Sequence, residues 1–394
     1  MKISFVLITT SLAGGVRYVF EVTIGLKNRG YNVKILSLVG DHSWFKGLKV
    51  EVVYKEPIMN KIIKTLYNLY KVYNLIKFKN SKIKPYNSLL IFNSLLGIKS
   101  DLVTELAEFI QNFDSDITIA TYYLTAFSVW FSQSENPFYL MQDFPELVEN
   151  NEGKIGLNMF KLSLKLPFSF VTVSSYTKQL ILDNNPTARV TIANPGVNLE
   201  VFRPKRELQN DNKRRVMLIL RGQKQKGDNI GLEVLKIVNK KIPIHAIIVG
   251  SKNLVKTYSK TIGIDFSYTV FSNIDDEKLS RLYSSADALI FTSYAESFGL
   301  PPLEAMACGT PVVMSDNKGS RDYAVNGYNA LVSHPGDVKS LSDNLIKVLQ
   351  DDKLREKLIE NGLETAKRFT WSSTVNNFEK ALREEIPWVF KEIN

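Results

Sequence analysis

Two acidic residues, Glu296 and Glu304, bracket a loop whose middle reads Ser297-Phe298-Gly299-Leu300, inside the longer run Ser293 to Pro311. Pro301 and Pro302 suit a first helical turn and Gly309 suits a helix stop. The backbone N–H groups of Phe298, Gly299 and Leu300 then lie at a positively polarised helix start without helical partners, and such groups bind anions. A helix start that only held phosphate would gain nothing from carboxylates beside it, so each carboxylate is expected to accept hydrogen bonds from neutral hydroxyls. Earlier in the chain stands Arg221-Gly-Gln-Lys-Gln-Lys226-Gly. A guanidinium grips phosphate oxygens through two hydrogen bonds and a nearby ammonium adds a point charge. Phosphate flanked by polyhydroxyl groups describes a nucleotide sugar. Each residue also has a plainer reading: Glu304, placed in the first helical turn, complements the helix dipole, Glu296 is a solvated loop residue, and the basic residues form a surface turn.

The elements that must position these groups are strands followed by loops. Ala288 to Thr292 and Val216 to Leu220 are short apolar runs of strand type, and Val312 to Ser315 is another. Each candidate loop therefore leaves the carboxyl end of a strand, where open α/β sheets bind ligands. Further strands are expected at His245 to Val249, Tyr268 to Phe271 and Ala330 to Val332, alternating with helices that end in Asp337 to Leu349, Asp352 to Arg368 and Thr374 to Glu385; such alternation argues for parallel sheets covered on both faces. The first half repeats the pattern. Lys2 to Thr10 reads as a strand, Thr10 to Gly15 as a turn, Val16 to Asn28 as a helix closed by Gly30, and Asn32 to Val39 as the next strand. Gly14 and Gly15 let backbone approach a phosphate, although no Gly-x-Gly-x-x-Gly fingerprint occurs. Phe138 to Gln142 delivers Gln142 and Asp143 from a strand end, where Asp143 is either an acceptor-side group or a turn residue before Pro145. Asp114-Ser-Asp116 falls at the amino end of the strand Ile117 to Thr121, the wrong end for a ligand, and reads as a helix-to-strand turn.

The run Glu296-Ser-Phe-Gly-Leu-Pro-Pro-Leu-Glu304, continued by Ala-Met-Ala-Cys-Gly-Thr-Pro-Val-Val, resembles the signature of the retaining glycosyltransferases of family 4. The resemblance implies the GT-B fold: two Rossmann-like α/β domains facing each other across a cleft, here 1–196 and 197–371, with the last helix (about 372–394) crossing back to the first. It implies that Glu296 contacts the donor sugar, Glu304 the ribose, and the amides around Ser297, Phe298, Gly299 and Leu300 the diphosphate. Arg221 and Lys226 match the family's strand-Arg-to-Lys-Gly spacing and take its diphosphate-binding roles, and Gly14 and Gly15 fit its N-terminal glycine loop facing the donor phosphates. Many members place a histidine near the acceptor; none of His42, His245 and His334 occupies that position, a departure from the family that leaves the acceptor-side chemistry unassigned by the resemblance. The Tyr-Leu-Met-Gln-Asp-Phe stretch is also similar to a Val-Gln-Asp-aromatic pattern in some bacterial rhamnosyltransferases of the family.

The expected activity is retaining, metal-independent transfer from a UDP-, GDP- or dTDP-sugar to a hydroxyl of a glycan or lipid-linked acceptor, with no cofactor. A non-catalytic nucleotide-sugar binding protein and a nucleotide-sugar epimerase of similar architecture are the alternatives.

At 394 residues the chain is long enough for two domains. Its single cysteine, Cys308, excludes an internal disulfide framework and a cysteine zinc cluster, and its three histidines argue against a histidine metal site. A reducing, cytoplasmic setting fits. The apolar start reads as a first strand rather than a signal peptide, and no run approaches the roughly 20 apolar residues of a membrane span. The net charge is +10. Lysines without any acid accumulate between Pro57 and Ser100, and the basic segment 59–84 carries apolar residues at helical spacing. It reads either as a helix packed on its own domain with a solvated lysine face or as a segment on an anionic membrane surface, peripheral at the inner face. No nucleic-acid module is legible, so no nucleic acid is expected as a partner.

Overall fold

The structure, a computed structural model, describes residues 1–55, 102–205 and 213–387. The basic segment 59–84 lies outside the described residues.

Among the described residues the chain forms two wholly parallel sheets. The first contains β1 (Lys2–Thr9), β2 (Asn32–Val39), β3 (Glu51–Tyr54), β4 (Ile117–Ala120), β5 (Pro137–Met141), β6 (Ser169–Thr172) and β7 (Val190–Ile192), in the order β3-β2-β1-β4-β5-β6-β7. The second contains β8 (Arg214–Ile219), β9 (Ile244–Val249), β10 (Ser267–Phe271), β11 (Ala288–Phe291), β12 (Val312–Ser315) and β13 (Leu331–Ser333), in the order β10-β9-β8-β11-β12-β13. The central strands are short runs of branched and aromatic residues because both faces are covered by helices: Phe5, Val6, Ile119, Val216, Leu289 and Ile290 are all buried. In each sheet the order reverses once, between β1 and β4 and between β8 and β11. Loops leaving those strand pairs diverge to opposite faces and open a crevice at the carboxyl ends.

The helix Trp371–Glu385 returns to the first sheet. Its Phe378 ring lies 5.7 Å from that of Phe5, Trp371 makes an edge contact with Tyr18 at 5.9 Å, and Thr374 Oγ1 donates to Asn194 O at 2.6 Å. Glu379 anchors it further, accepting from Arg29, Tyr31 and Arg383. The two halves also meet along the crevice. Arg17, on the helix Gly14–Asn28, bonds both carboxylate oxygens of Asp276 at 2.7 and 2.8 Å. Lys318 reaches Glu146 at 2.7 Å, Asn150 donates to Gln225 at 3.4 Å, and Asp322 accepts from Ser175 N at 3.0 Å and Asn194 Nδ2 at 2.8 Å. This is the facing two-sheet architecture that the resemblance implies.

Three local expectations are corrected. Gly14 and Gly15 are not in a turn but open the helix Gly14–Asn28, whose cap residue Ala13 is the last extended position. The short helix after Gly299 begins at Leu300, so Glu304 stands in its second turn and no acid occupies the first. The final helix starts at Trp371, where Thr370 Oγ1 accepts from Ser373 N, three residues before the expected Thr374.

Candidate functional site

Strands β8 and β11 are neighbours, with Val216 opposite Ala288 and Leu218 opposite Ile290, so the loops that follow them leave the sheet side by side. Asp228, buried at the start of the helix Asp228–Asn239, turns its carboxylate back to accept from Arg221 N and Gly222 N at 3.0 and 2.7 Å, which fixes the main chain of the first loop. Burial pushes the Asp228 carboxyl above its ordinary value, and those two N–H bonds oppose the shift. Gly227 ends the loop in the left-handed region at φ 63°, directly under the carbonyl of Thr292. Tyr294 N donates to Gln225 O at 2.8 Å and Thr292 Oγ1 to Gly227 O at 2.9 Å, stitching the two loops together.

This pairing sets the side chains. Lys226 Nζ bonds both oxygens of Glu296 at 2.9 and 2.8 Å, and Ser293 Oγ donates to the same carboxylate at 2.7 Å. Glu296 is buried, and its N–H donates to Asn317 O at 3.0 Å. Glu296 therefore accepts from a neutral hydroxyl, that of Ser293, and from an ammonium besides. Glu304 does accept from a neutral hydroxyl, that of Tyr283 at 3.1 Å. Burial raises its carboxyl above the ordinary value, opposed mainly by the charge of Arg17 from the other sheet.

Gly299 caps the helix Leu300–Ala307 at φ 85°, a conformation that favours glycine. None of the N–H groups of Ser297, Phe298, Gly299 and Leu300 donates to another described residue, and Pro301 and Pro302 have none to offer. Four consecutive open donors at a helix start form an anion cradle beside the Lys226–Glu296 pair. Arg221 is exposed, and no carboxylate pairs with its guanidinium among the described residues; its charge is felt at Glu304 and Tyr283. Lys224 is exposed and turned out in the same loop. Arg221 and Lys226 after β8, and Glu296, the amides from Ser297 to Leu300 and Glu304 after β11, therefore all follow the carboxyl ends of two neighbouring strands. Cys308, behind it, is buried, and burial pushes its thiol up to about 11, which suits a packing role.

On the opposite wall Gly15 lies against Gln142, whose Nε2 donates to Gly15 O at 3.3 Å, while no atom approaches the position of a Cβ on Gly14. Asp143 follows at the carboxyl end of β5. Its Oδ2 is buried without a hydrogen-bond partner, and burial, then the Glu152 charge, pushes the carboxyl up to about 7. Glu152 accepts from the hydroxyls of Tyr122 and Tyr123, and the same half-helix sends Asn150 to Gln225 in the β8 loop. Asp114 and Asp116 are held by Lys2 at the amino end of β4, far from this wall.

Sequence reasoning missed Asn317 and Arg17. Asn317 leaves the carboxyl end of β12, next to β11, and the strand-end rule that singled out Glu296 reaches it too. Gly319 in the same loop is pressed against the main chain of Glu296 to Phe298, where a Cβ would lie 2.4 to 2.6 Å from backbone atoms. Arg17 carried no signal, since its partner Asp276 opens the helix Asp276–Ser284 in the other half of the chain.

Residues 202–365 match the family model described as Glycosyl transferases group 1. The O-antigen chain mannosyltransferase B of Escherichia coli is 40% identical over 110 residues, covering 27% of this chain and 28% of that protein. A D-inositol 3-phosphate glycosyltransferase of Corynebacterium urealyticum is 27% identical over 217 residues, 50% of this chain and 51% of its own. The chain thus spans about half or less of the length of these curated relatives. Among solved structures, Anabaena Alr3699/HepE in complex with UDP-glucose superposes with a TM-score of 0.69 at 16% identity, covering 98% of this chain and all of that one (100%). The fold is GT-B.

Proposed function

We propose that this protein is a retaining, metal-independent glycosyltransferase that moves a sugar from a nucleoside diphosphate to a hydroxyl of a glycan or lipid-linked acceptor. The observation that carries the reading is the meeting of Lys226, Glu296 and four open amides at the carboxyl ends of β8 and β11, with the charge of Arg221 felt at Glu304. In this reading Arg221, Lys226 and the amides stabilise the departing diphosphate, whose charge grows in the transition state. Glu296 orients the sugar, Glu304 holds the ribose, and Gly14 and Gly15 face the phosphates from the other domain. Residues 1–196 form the acceptor half, completed by the returning C-terminal helix, and the acceptor attacks on the face that the diphosphate leaves. The UDP-glucose complex of the Anabaena protein supports a nucleotide-sugar donor, and the name of the Escherichia coli relative supports a surface-glycan acceptor.

The test is release of nucleoside diphosphate from UDP-, GDP- and dTDP-sugars, with and without a chelator. Slow release unaffected by the chelator and lost in a folded Glu296→Ala variant is the expected result. Tight donor binding without turnover for any acceptor would favour a binding protein instead.

Asp143 is proposed to receive the acceptor hydroxyl's hydrogen bond in its ionised form. Acceptor-dependent turnover should then rise with pH through about 7, and Asp143→Asn should lack that rise. Stability has the opposite sign. The folded state holds a proton that the unfolded chain releases at ordinary carboxyl pH, so stability falls as pH climbs toward about 7. Urea melts between about pH 4 and about pH 8 should show the parent losing stability until about pH 7 and levelling off above it, with Asp143→Asn lacking that loss.

A further inference from the structure

Glu296 and the donor diphosphate make competing demands on Lys226. Glu296, itself 8% exposed, already engages this ammonium through both oxygens. A diphosphate drawing the same ammonium would also set its own negative charge beside a buried carboxylate, and like charges at that range repel strongly. The pair seen here and a fully bound diphosphate are therefore alternatives.

A second observation concerns where Glu296 goes when released. Asn317 is wholly buried, and its Oδ1 accepts from Ser320 N at 3.0 Å, which settles the orientation of the amide. Its Nδ2 is left as a buried donor with no partner. That atom and Glu296 flank the same point: a Cβ placed on Gly299 would lie 3.6 Å from Glu296 Cγ and 3.8 Å from Asn317 Nδ2. Buried donors are nearly always satisfied, so an unmet one beside a carboxylate suits a second arrangement that uses it.

Building on the sugar-transfer reading, we infer that Lys226 exchanges partners during each cycle. It leaves Glu296 for the diphosphate as the donor enters, and Glu296 passes to the sugar hydroxyls and to Asn317 Nδ2. The ion pair re-forms as the nucleoside diphosphate departs. A nucleoside diphosphate without its sugar breaks the pair and supplies Glu296 with no hydroxyls, whereas an intact donor breaks it and supplies them. Glu296 thus helps to expel the product, and the crevice distinguishes donor from product by more than the size of the ligand.

Calorimetric titration of UDP, GDP and dTDP into the parent and into Glu296→Gln tests the exchange. The variant should bind the preferred nucleoside diphosphate on the order of tenfold more tightly, equivalent to about 1.4 kcal/mol, while its affinity for the corresponding nucleotide sugar does not rise. In a Lys226→Ala background the same substitution should give no tightening. Ser293→Ala, which loosens Glu296 without removing a charge, should shift affinity in the same direction by a smaller factor and serves if Glu296→Gln does not fold. Equal or weaker product binding in a folded Glu296→Gln, or tightening that persists without Lys226, overturns the exchange and leaves the nucleotide site standing. Failure of every nucleoside diphosphate to bind either protein overturns the site itself.

Discussion

Arg221→Ala lowers kcat/KM for donor cleavage by about 10²- to 10³-fold and leaves the unfolding midpoint where it was. The two halves of this expectation come from different parts of the structure. Asp228 holds the residue through its backbone N–H at 3.0 Å, so the loop keeps its course whatever side chain stands there. The guanidinium itself is exposed and pairs with no carboxylate among the described residues, so its removal leaves no buried charge uncompensated. Surface substitutions of that kind usually change stability by no more than about 0.5 kcal/mol. Catalysis differs, because charge accumulates on the leaving diphosphate and removing one preorganised donor from such a site costs about 3–4 kcal/mol. Arg221→Lys keeps the charge but loses the planar fork and should recover only part of the rate. Lys226→Ala is a poorer probe, since it also strips the buried Glu296 of its counterion and so mixes a folding effect with a catalytic one. Steady-state rates with thermal melts on the same samples decide the matter. Full activity in Arg221→Ala would remove the guanidinium from the diphosphate site.

Much of this arrangement is written locally in the chain. The apolar runs at Lys2 to Thr10 and Ala288 to Thr292 become β1 and β11 within a residue, because a strand buried on both faces needs no partner to be recognised as one. Pro301, Pro302 and Gly309 bound the short helix by chemistry that acts within a few residues. The Lys226–Glu296 pair is of another kind. It exists only because β11 crosses to lie beside β8 instead of following β10, and strand order leaves no periodic mark in either segment. Arg17 with Asp276 depends on how one sheet meets the other, which is more remote still. Gly14 and Gly15 misled for a third reason. Glycine is a poor helix former, so a pair after a strand reads as a turn, yet the helix Gly14–Asn28 includes both, with its stability coming from the packed face of Val16, Val19, Phe20 and Val22.

Gly227→Ala is expected to cost about 2–3 kcal/mol of stability and to abolish stabilisation by the donor. Gly227 holds φ 63°, where a side chain already carries a penalty of about 1 kcal/mol. The added Cβ would also lie 2.3 Å from the carbonyl oxygen of Thr292, a backbone atom at the end of β11 that cannot rotate away. Relief requires the β8 loop to lift from the β11 loop. That movement breaks the bond from Tyr294 N to Gln225 O and the one from Thr292 Oγ1 to Gly227 O, and it carries Lys226 away from Glu296. Gly14→Ala supplies a control for the fold alone: the position is helical with nothing within 4 Å of the new methyl, so without donor it should stabilise the fold by up to about 1 kcal/mol, while its place facing the donor phosphates takes it out of the comparison with donor. Chemical denaturation of both variants, and of Gly227→Ala with and without the preferred nucleotide sugar, separates the cases. A Gly227→Ala protein that melts like the parent and still gains stability from the donor would mean that the close approach of these loops is not what shapes the site.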